Sequence, residues 1–195
     1  NLNYVKIIAS NDLDEFLLKS LKYQKSKISV WGIGTKLVTA YDNPSLGAVY
    51  KLSALKNKKG IWENKLKLSE QKIKINNPGI HQVLRFSKNN LYRGDMIYDI
   101  NLSTKKKKMI DPNDSTRSKN FNDSFTSEEL LRKVFCEGKL VYKSPKITDI
   151  KMKLDKDLKM LDESHKRLEN PHYYPIGLEE SLFNMKKNMI LKLRK

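Results

Sequence analysis

Val30-Trp31-Gly32-Ile33-Gly34-Thr35-Lys36-Leu37-Val38-Thr39 joins two apolar runs through two glycines one residue apart and a threonine. Glycines at this spacing let backbone N–H groups approach an anion, because no Cβ intervenes. Thr35 adds a hydroxyl, and the segment after it can start a helix whose N-terminus favours negative charge. The chemistry is that of a phosphate cradle, and its surroundings give it a place in a fold. Residues 3–8 read as a short buried strand, and Ser10-Asn11-Asp12 offers capping side chains and an acidic first turn. Leu13, Phe16, Leu17 and Leu21 recur at helical spacing and predict a helix from Asp12 to Gln24. Lys27-Ile-Ser-Val-Trp31 is a second strand that ends at the glycine loop. Strand, helix and strand with short connections imply a parallel sheet or barrel, in which ligands sit at the carboxyl ends of strands. Ser10–Asp12 and Gly32–Thr35 both fall at that position.

Beyond the loop the texture changes. Pro44-Ser45-Leu46-Gly47 is a turn and Ala48-Val49-Tyr50-Lys51-Leu52 a strand, and Lys56-Asn-Lys-Lys-Gly60 is a hairpin-like loop leading to Ile61-Trp62 and Lys65–Leu68. Asn77-Pro78-Gly79 punctuates before Gln82–Phe86 and Asp95–Ile100, antiparallel material with its basic residues outward. Residues 101–126, which include Lys105 to Lys108, read as a long polar surface loop. Ile150, Leu154, Leu158, Leu161, His165 and Leu168 trace one helical face below a Thr148 cap, and Asn170-Pro171 ends that helix. His165 on this stripe is expected to be a satisfied interior or boundary residue. A last helix starts near Leu178, with Glu179 and Glu180 at its positive end and Lys192, Arg194 and Lys195 at its negative end. Leu182, Met185, Met189 and Leu193 form its core stripe.

The chain has 195 residues, enough for an ordinary single core, and a formal charge of +17. Of its 39 basic residues 33 are lysine and 6 arginine, set among 17 asparagines. Arginine is the preferred reader of bases and phosphates, so the lysine excess reads as a solvated surface more than a nucleic-acid groove. Cys136 is the single cysteine, which excludes an internal disulfide and a cysteine-based zinc site. His81, His165 and His172 are far apart and none has metal-ligand spacing to another histidine or to the cysteine. No apolar stretch reaches the length of about 20 residues that spans a bilayer. A reducing cytoplasmic setting, with neither membrane nor nucleic acid as partner, is the expectation.

Seven words of the sequence, in order, resemble nicotinate phosphoribosyltransferase. They are Ile8–Glu15, Trp31–Thr39, Asp42–Leu52, Lys67–Glu70, Asn77-Pro-Gly79 with Gln82–Arg85, Gly138–Tyr142, and Lys166–His172. They span nearly the whole chain apart from the lysine-rich loop. The resemblance implies an α/β chain, α+β overall. Residues 1–47 would be the last βα units of an irregular α/β barrel with the phosphate-binding loop. Residues 48–195 would be an auxiliary α+β region with antiparallel strands and two terminal helices. It also implies the reaction of nicotinate with phosphoribosyl pyrophosphate to nicotinate mononucleotide, a glycosyl transfer of NAD biosynthesis coupled to ATP hydrolysis, of the ligase class and assisted by Mg²⁺. Gly32, Gly34 and Thr35 would then hold the 5′-phosphate. Asp12, and more weakly Ser10 and Asn11, would meet ribose hydroxyls or water on Mg²⁺.

In the family, the histidine phosphorylated by ATP and an Arg/Asp/Ser strand-end motif precede the segment matched here. None of His81, His165 and His172 stands in a matching context. The resemblance therefore implies a C-terminal fragment without a catalytic residue or a direct metal ligand, inactive and poorly stable alone, whose partners are the missing N-terminal part of the same chain and, at full length, a second copy in a homodimer. Two alternatives stand beside it. One is a basic nucleic-acid-binding module, against which the aromatic residues do not alternate with basic ones. The other is a related phosphoribosyltransferase for nicotinamide or quinolinate, from which the glycine loop alone does not discriminate, since it handles phosphate and not the pyridine ring.

Overall fold

The computed structural model describes residues 3–42, 44, 49–70, 74–102 and 107–194. The Pro44–Gly47 turn apart from Pro44, Ala48, and Lys105 and Lys106 of the lysine run lie outside the described residues. The chain forms two compact units, Asn1–Tyr50 with Leu168–Asn170, and Lys51–Arg167 with Pro171–Lys195.

The first unit holds β1 (Ile7–Ser10), α1 (Glu15–Tyr23), β2 (Ile28–Gly32) and α2 (Thr35–Val38). β1 and β2 pair in parallel, Ile8 opposite Val30, Ala9 opposite Trp31 and Ser10 opposite Gly32. The β-branched residues at the start of each strand favour the extended pleat, and α1 makes the crossover that parallel neighbours require. The helix begins three residues later than the spacing predicts. Asn11 and Asp12 take positive φ of 82° and 48°, which asparagine and aspartate tolerate, and Asp14 is the cap, its carboxylate accepting from the Leu17 amide at 2.8 Å. Ser10-Asn11-Asp12 is therefore a strand-end bend, not the helix cap expected of it.

In the second unit, β3 (Ala54–Lys56) and β4 (Trp62–Asn64) form the hairpin around Asn57–Gly60. The expected strand over Val49–Leu52 is absent, and the extended residues begin at Ala54. β5 (His81–Lys88) and β6 (Leu91–Asp99) are an antiparallel pair joined by Asn89-Asn90, both at positive φ, the two-residue connection that matches strand twist. The 101–126 segment is not one surface loop. It carries β7 (Lys108–Ile110) and β8 (Ser118–Asn120), with Met109, Ile110 and Phe121 buried. β9 (Thr126–Glu129) and β12 (Ile176–Glu179) complete a six-stranded sheet in the order β8-β7-β12-β6-β5-β9. β12 runs parallel to β6 and antiparallel to β7. A separate small hairpin, β10 (Phe135–Cys136) and β11 (Lys139–Leu140), turns at Glu137-Gly138, again both at positive φ.

The core lies on this sheet, where Phe86, Met96, Met109 and Phe121 cluster with Leu84 and Phe125 against them. Phe86 and Phe121 stack with centroids 3.8 Å apart, and Phe125 meets Phe121 edge-on at 5.2 Å. α3 spans Ile147–Met160 and differs from expectation at both ends. Lys146 stands at its N-cap without a side-chain bond and Thr148 lies inside the first turn. Leu161 is extended, and Asp162 caps a separate 3-10 turn, Glu163–His165, by accepting from the Ser164 amide. The stripe Ile150, Leu154 and Leu158 is exposed. α4 (Glu180–Leu193) starts where its charge pattern predicts, Glu179 accepting from the amides of Ser181 and Leu182. Leu182 is fully buried, Met185 and Met189 are half-buried, and Leu193 is exposed. Among the described residues no helix is long and apolar enough to cross a membrane.

Candidate functional site

The parallel pairing brings Ser10 and Gly32 side by side at the carboxyl ends of β1 and β2, so the loops that follow leave the pair at the same edge. A Cβ at Gly32 would come 3.0 Å from the Ser10 Cβ, tighter than ordinary packing, so glycine permits this approach of the strand ends. Gly34 opens α2, and a Cβ built on it would stand in open space. Thr35 is exposed, and its hydroxyl has no hydrogen-bond partner among the described residues. The amides of Thr35 and Lys36 begin a helix and have no intrahelical acceptor. Asp12 is exposed at the bend opposite, its carboxylate likewise free of hydrogen bonds among the described residues. Strand pairing thus gathers Ser10, Asn11, Asp12, Gly32, Gly34 and Thr35 at one edge.

Two further residues brace this edge. Lys36 Nζ lies 2.7 Å from the second oxygen of Asp14, tying the cap of α1 to the first turn of α2, and sits 5.7 Å from the Tyr41 ring centroid. The lysine hydrogen bond, with help from the Leu17 amide, holds the Asp14 carboxyl below its ordinary range, and the same bond raises Lys36. Asp14, not the earlier Ser10-Asn11-Asp12 group, is the cap of α1. The signal was present, since Asp14 directly precedes Glu15 and the Phe16-Leu17 pair. A hollow of about 550 Å³ lies behind the brace between Leu13, Phe16, Ile33 and Leu37. Its rim carries Asp14, Glu15 and Asp42 against Lys36, a balance unsuited to phosphate.

The words of the sequence in the second unit have structural duties. Gly79 has φ +105°, and a Cβ there would overlap the buried Asp99 carboxylate. Asn77 accepts from Lys186 Nζ at 2.8 Å, and the Pro78 carbonyl accepts from His81 Nε2 at 2.9 Å. Gln82 exchanges bonds with the backbone of Leu131, 2.9 Å from its amide and 3.0 Å from its carbonyl. Arg85 grips Asp95 with two bonds of 2.9 and 2.7 Å, and Tyr174 donates to the same carboxylate at 2.9 Å. The pair raises Arg85 further, while burial and then the Asp95 charge raise Tyr174. His165 Nδ1 donates to the His172 carbonyl at 2.7 Å, the satisfied boundary histidine its position predicts. Among the described residues no group of three or more His, Cys, Asp or Glu side chains is placed to hold a metal ion.

Residues 80–186 match the model of the nicotinate phosphoribosyltransferase C-terminal domain. The chain is 38% identical over 194 residues to a nicotinate phosphoribosyltransferase of Bacillus subtilis (strain 168), covering 97% of this chain and 39% of the relative. It is 30% identical over 189 residues to one from Caenorhabditis elegans, covering 92% of this chain and 32% of that protein. The crystal structure of human nicotinic acid phosphoribosyltransferase shares its fold, with a TM-score of 0.68 at 22% identity over 97% of this chain and 34% of that one. The chain thus spans about a third to two-fifths of the length of these relatives. A mixed α+β architecture that follows the human fold, a family model across more than half of the residues, and relatives that align with nearly all of this chain have one meaning: the chain belongs to the nicotinate phosphoribosyltransferase family and contains its C-terminal domain.

Proposed function

We propose that this chain serves as the C-terminal part of a nicotinate phosphoribosyltransferase, in which the β1–β2 edge holds the phosphoribosyl group. The enzyme would join nicotinate to phosphoribosyl pyrophosphate, releasing pyrophosphate and consuming ATP, as a homodimer in the cytoplasm. The observation that carries the reading is the pairing of Ser10 with Gly32, which aligns two strand-end loops on the side where parallel folds bind ligands. As the pyrophosphate leaves, positive charge grows at the ribose carbon, and that carbon must be held in place while it does. The amides of Gly34 and Thr35 and the Thr35 hydroxyl anchor the 5′-phosphate, Gly32 lets the strand ends approach, and Ser10 and Asn11 make weaker contacts to the ribose hydroxyls or to water on Mg²⁺. Asp12 accepts from ribose hydroxyls.

Mg²⁺ supplies charge neutralisation to the pyrophosphate in this reaction. Asp12 offers it a single carboxylate, which suits water on the ion and does not suffice to hold the ion itself. ATP and the histidine it phosphorylates belong, on this reading, to the part of the relatives' length that this chain does not span, so the 195-residue chain alone forms no nicotinate mononucleotide. The test is steady-state kinetics of an enzyme carrying this chain. Thr35→Ala should raise KM for phosphoribosyl pyrophosphate about tenfold, the worth of one charge-assisted hydrogen bond, and leave KM for nicotinate close to its starting value. Unchanged kinetics would remove the phosphate from this loop.

A further inference from the structure

Arginine is scarce in this chain, 6 against 33 lysines, yet Arg93 and Arg117 line one hollow of about 490 Å³ together with Lys119. Arg93 is on β6, Lys119 is on β8 and Arg117 immediately precedes β8, while Asp162, Ser164, His165, the Pro171–Tyr173 run and Pro175 complete the lining. Neither guanidinium makes a hydrogen bond or an ion pair among the described residues. Lys119 Nζ donates to the Arg93 carbonyl at 2.6 Å, and burial, followed by the charge of Arg93, presses its pKa down. Lys119 and Arg93 thus repel each other, and with Arg117 they line one hollow without an ion-pair partner among the described residues.

Neither nearby carboxylate forms an ion pair with the three cations, although Asp162 lines the hollow. Asp162 accepts from the Ser164 amide at 3.0 Å and from the Ser164 hydroxyl at 2.7 Å, and feels Arg93 and His165 only at longer range. Asp114, within electrostatic reach of Arg117, is taken up by Thr116 through its amide at 3.0 Å and its hydroxyl at 2.6 Å. Like-charge crowding costs stability unless an anion relieves it. Two planar forks and an ammonium around a half-enclosed space match the oxygens of a phosphoryl group better than a single carboxylate.

We propose that this hollow is a binding site for a small phosphoryl anion, inorganic phosphate or a phosphate ester, held by Arg93, Arg117 and Lys119. All its lining residues belong to the second unit and none to the strand-end loops of the first, so it stands whether or not those loops bind phosphoribosyl pyrophosphate. The test is calorimetric titration of the 195-residue chain with inorganic phosphate, ionic strength held constant with chloride. One saturable site should appear, persist in Thr35→Ala, and weaken about tenfold or more in Arg93→Gln and in Arg117→Gln, the loss expected for a charge-assisted contact. Arg117 is exposed, so Arg117→Gln keeps the test valid even where Arg93→Gln unfolds. Absence of saturation would overturn the proposal. So would loss of the site in Thr35→Ala with Arg117→Gln unaffected, or equal weakening by Lys151→Gln, an exposed lysine of α3 outside this hollow.

Discussion

The two compact units use the same kind of apolar residue in opposite ways. In the second, Phe86, Met96 and Leu182 are fully buried and Leu178 nearly so. In the first, Ile8 is 66% exposed, Leu37 67%, and Phe16 and Leu17 remain largely open, with Leu13 the one buried apolar side chain among the described residues. Parallel strands in folded proteins are covered on both faces, and a two-stranded sheet is marginal by itself. The comparison separates self-sufficiency from function. The unit that makes its own core buries its aromatic and aliphatic side chains, whereas the unit proposed to hold the substrate leaves most of its apolar side chains exposed.

The largest effect should come from the core. Phe86→Ala removes a stacked, fully buried ring and should cost about 3–5 kcal/mol, whereas Ile8→Ala on the exposed parallel pair should cost under about 1 kcal/mol. Chemical denaturation of both variants measures the gap, and equal losses would break the comparison. Next in size is Arg85→Met, which leaves the mostly buried Asp95 carboxylate without its bidentate partner. A loss of about 2–4 kcal/mol is expected by the same assay, less than a fully buried pair would show because Arg85 keeps some contact with water.

The smallest effect concerns acid. Asp14 in the first unit and Asp157 in the second are both held below the ordinary aspartate value of 3.8. For Asp157, burial pushes upward but the hydrogen bonds from Lys153 at 2.5 Å and Tyr92 at 2.8 Å prevail. A carboxylate with a depressed folded pKa adds stability that is present above its unfolded pKa and is lost as pH falls through the folded one. Carboxyl carbon titration by NMR should give both midpoints below 3.8. Amide exchange over the same range should show α1 fraying as Asp14 protonates while β5 and β6 stay protected. Midpoints at or above the ordinary value would remove the two aspartates as acid-sensitive supports.

The parallel pair was legible because its two strands and intervening helix follow one another with short links and strong residue-type contrast. What escaped was short or contradictory. β7 and β8 are three residues each within a run of lysine, serine and asparagine, and Met109-Ile110 is too brief a signal to outweigh that composition. Their burial comes from neighbours distant in sequence, which periodicity does not register. α3 ran long in the expectation because Leu161, His165 and Leu168 continue the spacing of Leu154 and Leu158. Asp162 intercepts the backbone there and converts the continuation into a 3-10 turn. At the candidate site the glycines, Thr35 and Asp12 were legible from residue type, while the Asp14–Lys36 brace required knowledge of which loops meet. The arginine hollow was not legible, since its three cations come from β6 and the β8 region and its far wall from residues some forty to eighty positions later.

β12 lies between β6 and β7, yet it follows α3 in the chain. Synthesis therefore delivers β5, β6, β7, β8 and β9 well before the strand that joins them into one sheet. Ile176–Glu179 pairs with β6 on one side and with β7 on the other, so without it β6 and β7 would each present an open edge. Ile176–Glu179 is thus the strand through which β7–β8 and β5–β6 belong to one sheet, and α4 follows directly from it.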